Sequence, residues 1–440
     1  MHIELPAGAG QILSTLHEAG YEAYVVGGCV RDSLLGRTPG DWDITTSATP
    51  QQVKSCFRRT VDTGIRHGTV TVLTGGGQYE VTTYRIDGKY KDGRHPESVI
   101  FTPSLMEDLK RRDFTINAMA YSGESGVIDE FDGLGDIRRR LIRAVGNPER
   151  RFQEDALRIM RAVRFAAQLD YTIEEGTLEA IRTLAPNLRN ISAERIRAEL
   201  EKLLVSPHPE QLELAYRTGI TGVILPELDE CMKCPQHNPH HRYNVGEHII
   251  HSVCAVRPDP VLRLAMLFHD MGKPACRTTD ENGIDHFHGH AAVSADIADR
   301  VMRRLRYDNH TREAVTALVR YHDIRPANTE AEIRKAVTEV GKELFPLLLE
   351  VKLADGAAQS EYRREEKQRS VEAWRCTYEK ILQNRDPLCA ADLAVNGTDL
   401  IREGFRPGPQ IGKILNAMLE DVIVTPGHNT RAYLLEHFAR

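Results

Sequence analysis

Tyr24-Val25-Val26-Gly27-Gly28-Cys29-Val30-Arg31-Asp32, with Asp41-Trp42-Asp43 close behind it, is the stretch on which the reading of this 440-residue chain turns. A short apolar run, two glycines and then a helical pattern read as a buried strand, a tight turn and a helix start. Glycine lets the backbone approach a phosphate closely, and the N–H groups at a helix start are free to receive an anion. Arg31 in the first turn adds a fork of donors, so Gly28 and Arg31 are candidate nucleotide contacts. Asp41 and Asp43 fall on the next predicted strand, where residues i and i+2 share a face. Two carboxylates held this close repel, and one keeps its proton unless a cation intervenes. A pair of Mg²⁺ ions removes the conflict. One ion lowers the pKa of an attacking 3′-hydroxyl, and the other neutralises a triphosphate and its leaving group. Asp-x-Asp alone is weak evidence; behind a glycine turn it marks a candidate catalytic and metal-holding pair.

Outward from this stretch, residues 1–122 read as a mixed α/β unit. Short β-rich runs at 22–27, 42–46, 69–73, 79–84 and 98–101 are separated by Gly, Pro and Asp turns. Helical periodicity covers 7–19, 50–58 and 104–119. From about 150 onward strand signals nearly vanish, and apolar residues recur at helical spacing over 150–169, 174–184, 192–204 and 209–217. Ser192 followed by Glu194, and Thr329 with Glu332, look like helix starts. The expected fold class is α+β, a small mixed-sheet head followed by an extended all-α neck, body and tail. The expected boundaries are a head over 1–122, a neck over 123–205, a body over 206–384 and a tail over 385–440. Pro235 to Pro239 and Asn384 to Pro387 punctuate the helical part.

Composition describes a globular protein, 41% hydrophobic and 27% charged, with no apolar run near the roughly 20 residues of a membrane span and no leader-like start. The eight cysteines in a chain without a secretion pattern read as reduced thiols, and the location expected is cytoplasmic. Cys231 and Cys234, followed by His237, His240 and His241, resemble half of a zinc site, but no second pair follows at finger spacing, so they read as an ordinary loop. The net charge of −6 is unevenly spread: nine arginines (Arg138, Arg139, Arg140, Arg143, Arg150, Arg151, Arg158, Arg161 and Arg164) crowd into 138–164. Arginine without lysine favours bidentate phosphate and base contacts, which points to a local groove for phosphates.

Further motifs follow in order. Leu109-Lys110-Arg111-Arg112-Asp113-Phe114-Thr115-Ile116-Asn117-Ala118 comes next, then Glu154-Asp155-x-x-Arg158-x-x-Arg161-Ala162-x-Arg164-Phe165, then Ser192-Ala193-Glu194-Arg195-Ile196. With Gly27 through Asp43, this ordered set resembles the DNA polymerase β-like nucleotidyltransferases and, more narrowly, the class II CCA-adding enzymes and their poly(A) polymerase relatives. The resemblance covers nearly the whole chain. It implies tRNA, CTP and ATP as partners, and nucleotide contacts at Arg112, Asp155, Arg158, Arg161 and Arg164. The loop from Arg85 to Pro96 resembles one found in full CCA-adding and A-adding enzymes, with His95 where relatives often carry arginine.

The 150–169 segment also has a chemical reading of its own. Asp155 and Arg158, three apart on a helix, sit side by side. Asp accepts hydrogen bonds and Arg only donates them. Cytosine and adenine each offer an amine beside a ring-nitrogen acceptor, whereas uracil and guanine present the opposite polarity. A fixed Asp–Arg pair therefore admits C or A and rejects U or G, with no nucleic-acid template. Arg161 and Arg164 drift around such a helix and suit triphosphate or RNA backbone.

Nine of the eighteen histidines fall between 237 and 290. His248, then His269-Asp270, then Asp355, looks like the ordered series of an HD-type phosphohydrolase, with His290 and His322 as further candidates. His and Asp together suit a divalent ion, of unspecified identity, that holds a hydroxide for phosphoester attack. The tail, Asn396-Gly397-x-Asp399-Leu400 through Gly408-Pro409-x-Ile411-Gly412-Lys413, reads as a helix pair whose turn can hold RNA phosphates. The expected function is addition of CMP, CMP and AMP to tRNA, with phosphohydrolysis as a possible second activity. The rivals are an A-adding enzyme or poly(A) polymerase and, from another class, a tRNA-binding end-repair hydrolase with an inactive head.

Overall fold

The computed structural model describes residues 2–88 and 99–438, and the chain divides into two compact units, Met1–Pro226 and Glu227–Arg440. In the first unit, strands β1 (Ala23–Val26), β2 (Ile44–Thr46), β3 (Thr60–Gly64), β4 (Thr69–Thr74) and β5 (Gly77–Thr83) are followed by β6 (Arg85–Asp87), β7 (Val99–Phe101), β8 (Met119–Ser122) and β9 (Gly126–Asp129). Seven of them form one sheet in the order β3-β4-β5-β2-β1-β8-β9, while β6 and β7 make a separate ribbon. Every neighbouring pair in the large sheet is antiparallel except β2–β5, which is parallel.

The alternation of a strand explains how this sheet is covered. Val25 points into a core with Ile44, Val70, Val81 and the helices Ala7–Glu18 and Pro50–Cys56. Val26, one residue on, packs on the other side with Leu109 and Ala120. The first helix repeats apolar residues at Ala9, Ile12, Leu13 and Leu16, all buried. The second begins with a capping box between Thr49 and Gln52 and a proline at its first turn.

Two expected helices are interrupted. The one expected over 104–119 stops at Lys110, and a 3₁₀ turn at Thr115–Asn117 leads into β8. Asp113 accepts the Phe114 N–H and the Asn117 side-chain amide, offering the backbone a partner that competes with the helix. The helix expected over 150–169 is two, Pro148–Glu154 and Leu157–Leu169. Asp155 between them is extended, and its carboxylate accepts the Leu157 N–H. Strands β3 and β9 carry no clear apolar alternation and were not expected from the sequence, so the sheet extends past residue 122 to Asp129. Thr329 caps its helix through the Glu332 N–H, whereas Ser192 stands at the cap position without a side-chain bond.

The second unit is helical apart from two two-residue strands, Thr278–Thr279 and Asp285–His286. Helices Val245–Ala255, Pro260–Phe268, His290–Arg304, Asn309–Tyr321 and Phe345–Ala358 precede the long helix Arg364–Asn384. The expected tail pair is present as Gly397–Arg402 and Pro409–Val424, packed through Leu400, Met418, Val422 and Leu434. A mixed-sheet head followed by helices is the fold class the sequence pointed to. Among the described residues no helix is long and apolar enough to cross a membrane.

Candidate active site

Asp41 and Asp43 lie on the extended run into β2 rather than inside it. The ladder nevertheless reaches them, since the Val26 N–H donates to the Asp43 carbonyl at 3.0 Å. Across the parallel pair Ile44 faces Val81, which puts Glu80 opposite Asp43 one step earlier. The Asp43 carboxyl is raised above the usual carboxylate range, first by loss of solvent around it and then by the Asp41 and Glu80 charges, with Arg112 acting the other way. Glu80 is thus a third acid that the sequence reading missed. Its only signal was a polar position between buried Tyr79 and Val81, which looks like any solvent-facing strand residue. Below Asp43, burial pushes the Cys29 thiol up to about 12, so it stays protonated and is no nucleophile. A carboxylate cluster only partly offset by Arg112 fits hard divalent cations.

Gly27 opens the turn with φ of 85°, a conformation that favours glycine, and a Cβ there would meet Arg112 Nη1 at 2.9 Å. Arg31, expected to reach out to phosphate, is buried; it donates to Asn117 at 2.7 Å and pairs with Asp32. Arg112 is held by buried Asp108 at 3.6 Å, and Asp108 also accepts from Arg111 and from Thr45 of β2. One fully buried carboxylate therefore ties the second sequence motif to the strand that follows the acids.

The other expected contacts are held by acids as well. Asp155 pairs with Arg195 at 2.7 Å, and Arg158 pairs with Glu154 at 3.0 Å and donates to the Arg111 carbonyl. Asp155 and Arg158 thus do not pair side by side on a helix; each has its own anchor. Arg161 pairs with Asp113, whose carboxyl stays well below the usual range because Arg161 and Arg158 outweigh its burial. Arg164 is 6% exposed and bound to Glu199, and so fastens the Ala193–Leu204 helix to the Leu157–Leu169 helix. The basic block is therefore not an open positive surface: among the described residues each of its arginines except Arg138 is ion-paired. Arg195, Asp113 and Glu199 meet Asp155, Arg161 and Arg164 through the fold, which helical spacing could not reveal, whereas Glu154 meets Arg158 four residues along the chain. Most of the loop from Arg85 to Pro96, including His95, lies outside the described residues.

In the second unit, His248, His269, Asp270 and Asp355 converge, as their order in the sequence suggested. His248 Nε2 lies 3.0 Å from Asp355, 3.3 Å from Asp270 Oδ2 and 3.3 Å from His269 Nε2. The other Asp270 oxygen lies 3.3 Å from His290 Nε2 and 3.6 Å from His322 Nε2. Two trios able to hold a cation share Asp270. His269, His290 and His322 each place Nδ1 within 2.7–2.8 Å of a backbone carbonyl, at Met266, Phe287 and Val319. With Nδ1 donating there, Nε2 presents its lone pair to the cluster, the arrangement metal-binding histidines use. Burial disfavours a charged His248, but Asp270 and Asp355 outweigh it and push it up to about 8. Lys273 reaches Asp270 Oδ2 at 2.6 Å and Gln236 at 2.9 Å, a further contact the sequence reading missed. Cys231 and Cys234 are free and join no metal-type cluster among the described residues; His237 bonds Asp285 instead.

A mixed sheet with acids at its parallel pair, beside a glycine turn and a latched arginine set, defines a nucleotidyltransferase head. Residues 23–143 match the poly A polymerase head domain, 170–232 a probable RNA- and SrmB-binding site of polymerase A, and 278–438 a putative tRNA nucleotidyltransferase domain 2. The CCA-adding enzyme of Lactobacillus delbrueckii subsp. bulgaricus is 38% identical over 433 residues, 97% of this chain and 96% of that protein. That of Levilactobacillus brevis is 37% identical over 417 residues, 94% of this chain and 93% of that protein. The crystal structure of the Bacillus stearothermophilus CCA-adding enzyme in complex with CTP is similar with a TM-score of 0.71 at 33% identity, covering 97% and 96% of the two chains. The chain belongs to the CCA-adding enzyme family, and it is a tRNA-processing nucleotidyltransferase.

Asp43→Asn lowers nucleotide incorporation by at least about 10²-fold, while the metal-free variant melts no lower than the parent because a repulsion is gone. Added Mg²⁺ should raise the melting temperature of the parent and not of the variant; an equal rise in both removes Asp43 from the metal site. Arg195→Ala frees Asp155, so misincorporation of UMP and GMP should increase relative to CMP and AMP, read by single-nucleotide extension. Unchanged selectivity would separate Arg195 from base choice.

Proposed function

We propose that the head adds CMP, CMP and AMP from CTP and ATP to the 3′ end of tRNA without a nucleic-acid template. The observation that carries this reading is the placement of Asp41 and Asp43 on one extended run, with Glu80 across the parallel pair and Arg112 against the Gly27 turn. Divalent ions held there, Mg²⁺ by the hardness of the oxygen donors, would activate the 3′-hydroxyl and neutralise the triphosphate. The chain's own residues do the selecting. Asp155 accepts the exocyclic amine of cytosine or adenine and Arg158 donates to the adjoining ring nitrogen, and the wrong bases leave these polar groups unpaired. Gly28 brings backbone up to the phosphates, with Arg31 bracing that turn. Arg112 and Arg161, the latter with 33% of its side chain exposed, face the triphosphate. Arg164 serves the same site indirectly, through the helix it fastens. The Bacillus stearothermophilus relative is seen with CTP, and one of 20% identity from Thermotoga maritima with tRNA, which supports the partners named here. The test uses tRNA truncated before its CCA end, with each nucleotide offered singly and CTP offered with ATP. Extension by two Cs and then a single A is expected. A long A tract would favour a poly(A) polymerase, addition only to tRNA already ending in CC an A-adding enzyme, and no addition an inactive head.

We further propose, on the histidine cluster alone, that the second unit is an HD-type metal-dependent phosphohydrolase that clears damaged tRNA 3′ ends. Its ligands are His248, His269, Asp270 and Asp355 on one side, with His290 and His322 sharing Asp270 on the other. Calorimetric titration with Mn²⁺, Ni²⁺ or Zn²⁺ should show tight binding that His269→Ala and Asp270→Ala abolish, together with loss of hydrolysis on tRNA ends carrying phosphate or 2′,3′-cyclic phosphate. Hydrolysis unaffected by both substitutions ends this reading.

A further inference from the structure

Beside the histidine cluster lies a cavity of about 280 Å³ whose wall includes His322 and Asp355 from the cluster itself. Its remaining charged lining comes from Asp323, Arg325, Lys352, Arg363, Glu366 and Lys367. Most of these charges are matched. Arg325 pairs with Asp323 at 3.0 Å, Arg363 pairs with Glu366, and Asp355 is taken by His248. Two are not. Lys352 donates to the His322 carbonyl at 2.8 Å and lies 5.4 Å from the Trp374 ring centre, and Lys367 donates to Gln359 and lies 3.3 Å from His240 Nδ1. Neither lysine has a carboxylate partner among the described residues, although neither is fully exposed.

Taking an ammonium out of water without a counter-charge is costly, and the cost is recovered when an anion supplies that charge. The carboxylates near these lysines are already committed, so the anion must come from outside the chain. Two members of a cluster suited to phosphoester attack, His322 and Asp355, line the cavity, so the charge-matched ligand is a phosphoryl group. Two unmatched positive charges suit a phosphomonoester, which carries about −1.5 to −2 at neutral pH, better than a cyclic diester, which carries a single charge. Small-molecule sites begin at roughly 300 Å³, so this space admits one terminal group rather than a run of nucleotides.

We propose that Lys352 and Lys367 form the anion-binding wall of this second centre and set its preference for a terminal phosphomonoester over a 2′,3′-cyclic phosphate. This rests on the phosphohydrolase reading of the cluster. In the reaction one water adds to phosphorus, the ester P–O bond breaks, and the leaving oxygen takes a proton, giving an alcohol and orthophosphate. No oxidant or co-reactant is needed.

The test separates binding from turnover. Inorganic phosphate is titrated calorimetrically into the full-length protein in the presence of a chelator, so that only protein groups are read. Lys352→Met and Lys367→Met should each weaken binding by at least about tenfold, the loss of one charge-assisted hydrogen bond, and Lys352→Arg should restore most of it. Thermal melts identify any variant that fails to fold, and Lys367→Met, on a half-exposed side chain, then carries the test. With divalent metal restored, the kcat/KM for 3′-AMP should exceed that for 2′,3′-cyclic AMP, and the methionine variants should lose the difference chiefly through KM. Phosphate binding that both substitutions leave unchanged, or a preference for the cyclic substrate, overturns the inference. Lysine-dependent phosphate binding with no turnover on any divalent ion upholds the anion site and overturns the hydrolase reading instead.

Discussion

Repulsion among three carboxylates is the constraint around which the head is organised. The parallel β2–β5 pair sets Glu80 across from Asp43, and Asp41 stands two residues away on the same run. Loss of solvent, and after it the Asp41 and Glu80 charges, raises the Asp43 carboxyl, with Arg112 acting the other way. The β-branched pairing of Val25 and Ile44 and the buried helix faces behind them supply the stability that holds these acids together. Crowding of this sort, maintained by a core that has no direct part in the chemistry, is what a divalent cation would relieve.

The arginines on the far side of the site show the complementary solution. Each is fixed by a carboxylate: Asp108 and Glu154 hold Arg112 and Arg158 from four residues away on the chain, whereas Asp113 and Glu199 reach Arg161 and Arg164 from elsewhere in the fold. Breaking a buried pair such as Arg164–Glu199 costs about 3–5 kcal/mol, because the remaining charge is stranded. The pairing therefore defines positions rather than adding attraction. An unanchored arginine would follow any anion, whereas an anchored one stays where the fold places it. Selection without a template needs that rigidity, since the protein must hold still the edge that a pairing strand would otherwise present.

The second unit meets a related problem with histidines. Backbone carbonyls fix three imidazoles so that their Nε2 atoms converge on Asp270. Gly272 permits this closeness, since a Cβ there would lie 2.6 Å from the His290 carbonyl. Imidazoles aimed in this way at a buried carboxylate are a donor set that could hold a cation.

The sequence by itself determined the chain of elements that carries both centres. The glycine turn, the Asp-x-Asp pair and the order of His248, His269-Asp270 and Asp355 are local patterns, and local backbone rules are enough to read them. Helical periodicity likewise announced the long second half, since one buried face repeats every three to four residues. Tertiary structure decided the partners. Glu80 joined the acids only through strand pairing, Arg195 reached Asp155 across 40 residues, and Asp113 reached Arg161 across 48. Two expected helices break instead for a local reason, after Lys110 and at Asp155, where the Asp113 and Asp155 side chains accept the Phe114 and Leu157 N–H groups that the periodicity had assigned to the helix. An ion pair between distant segments leaves no spacing to read. Its energy depends on burial and on the partner's position, and both exist only once the chain has folded.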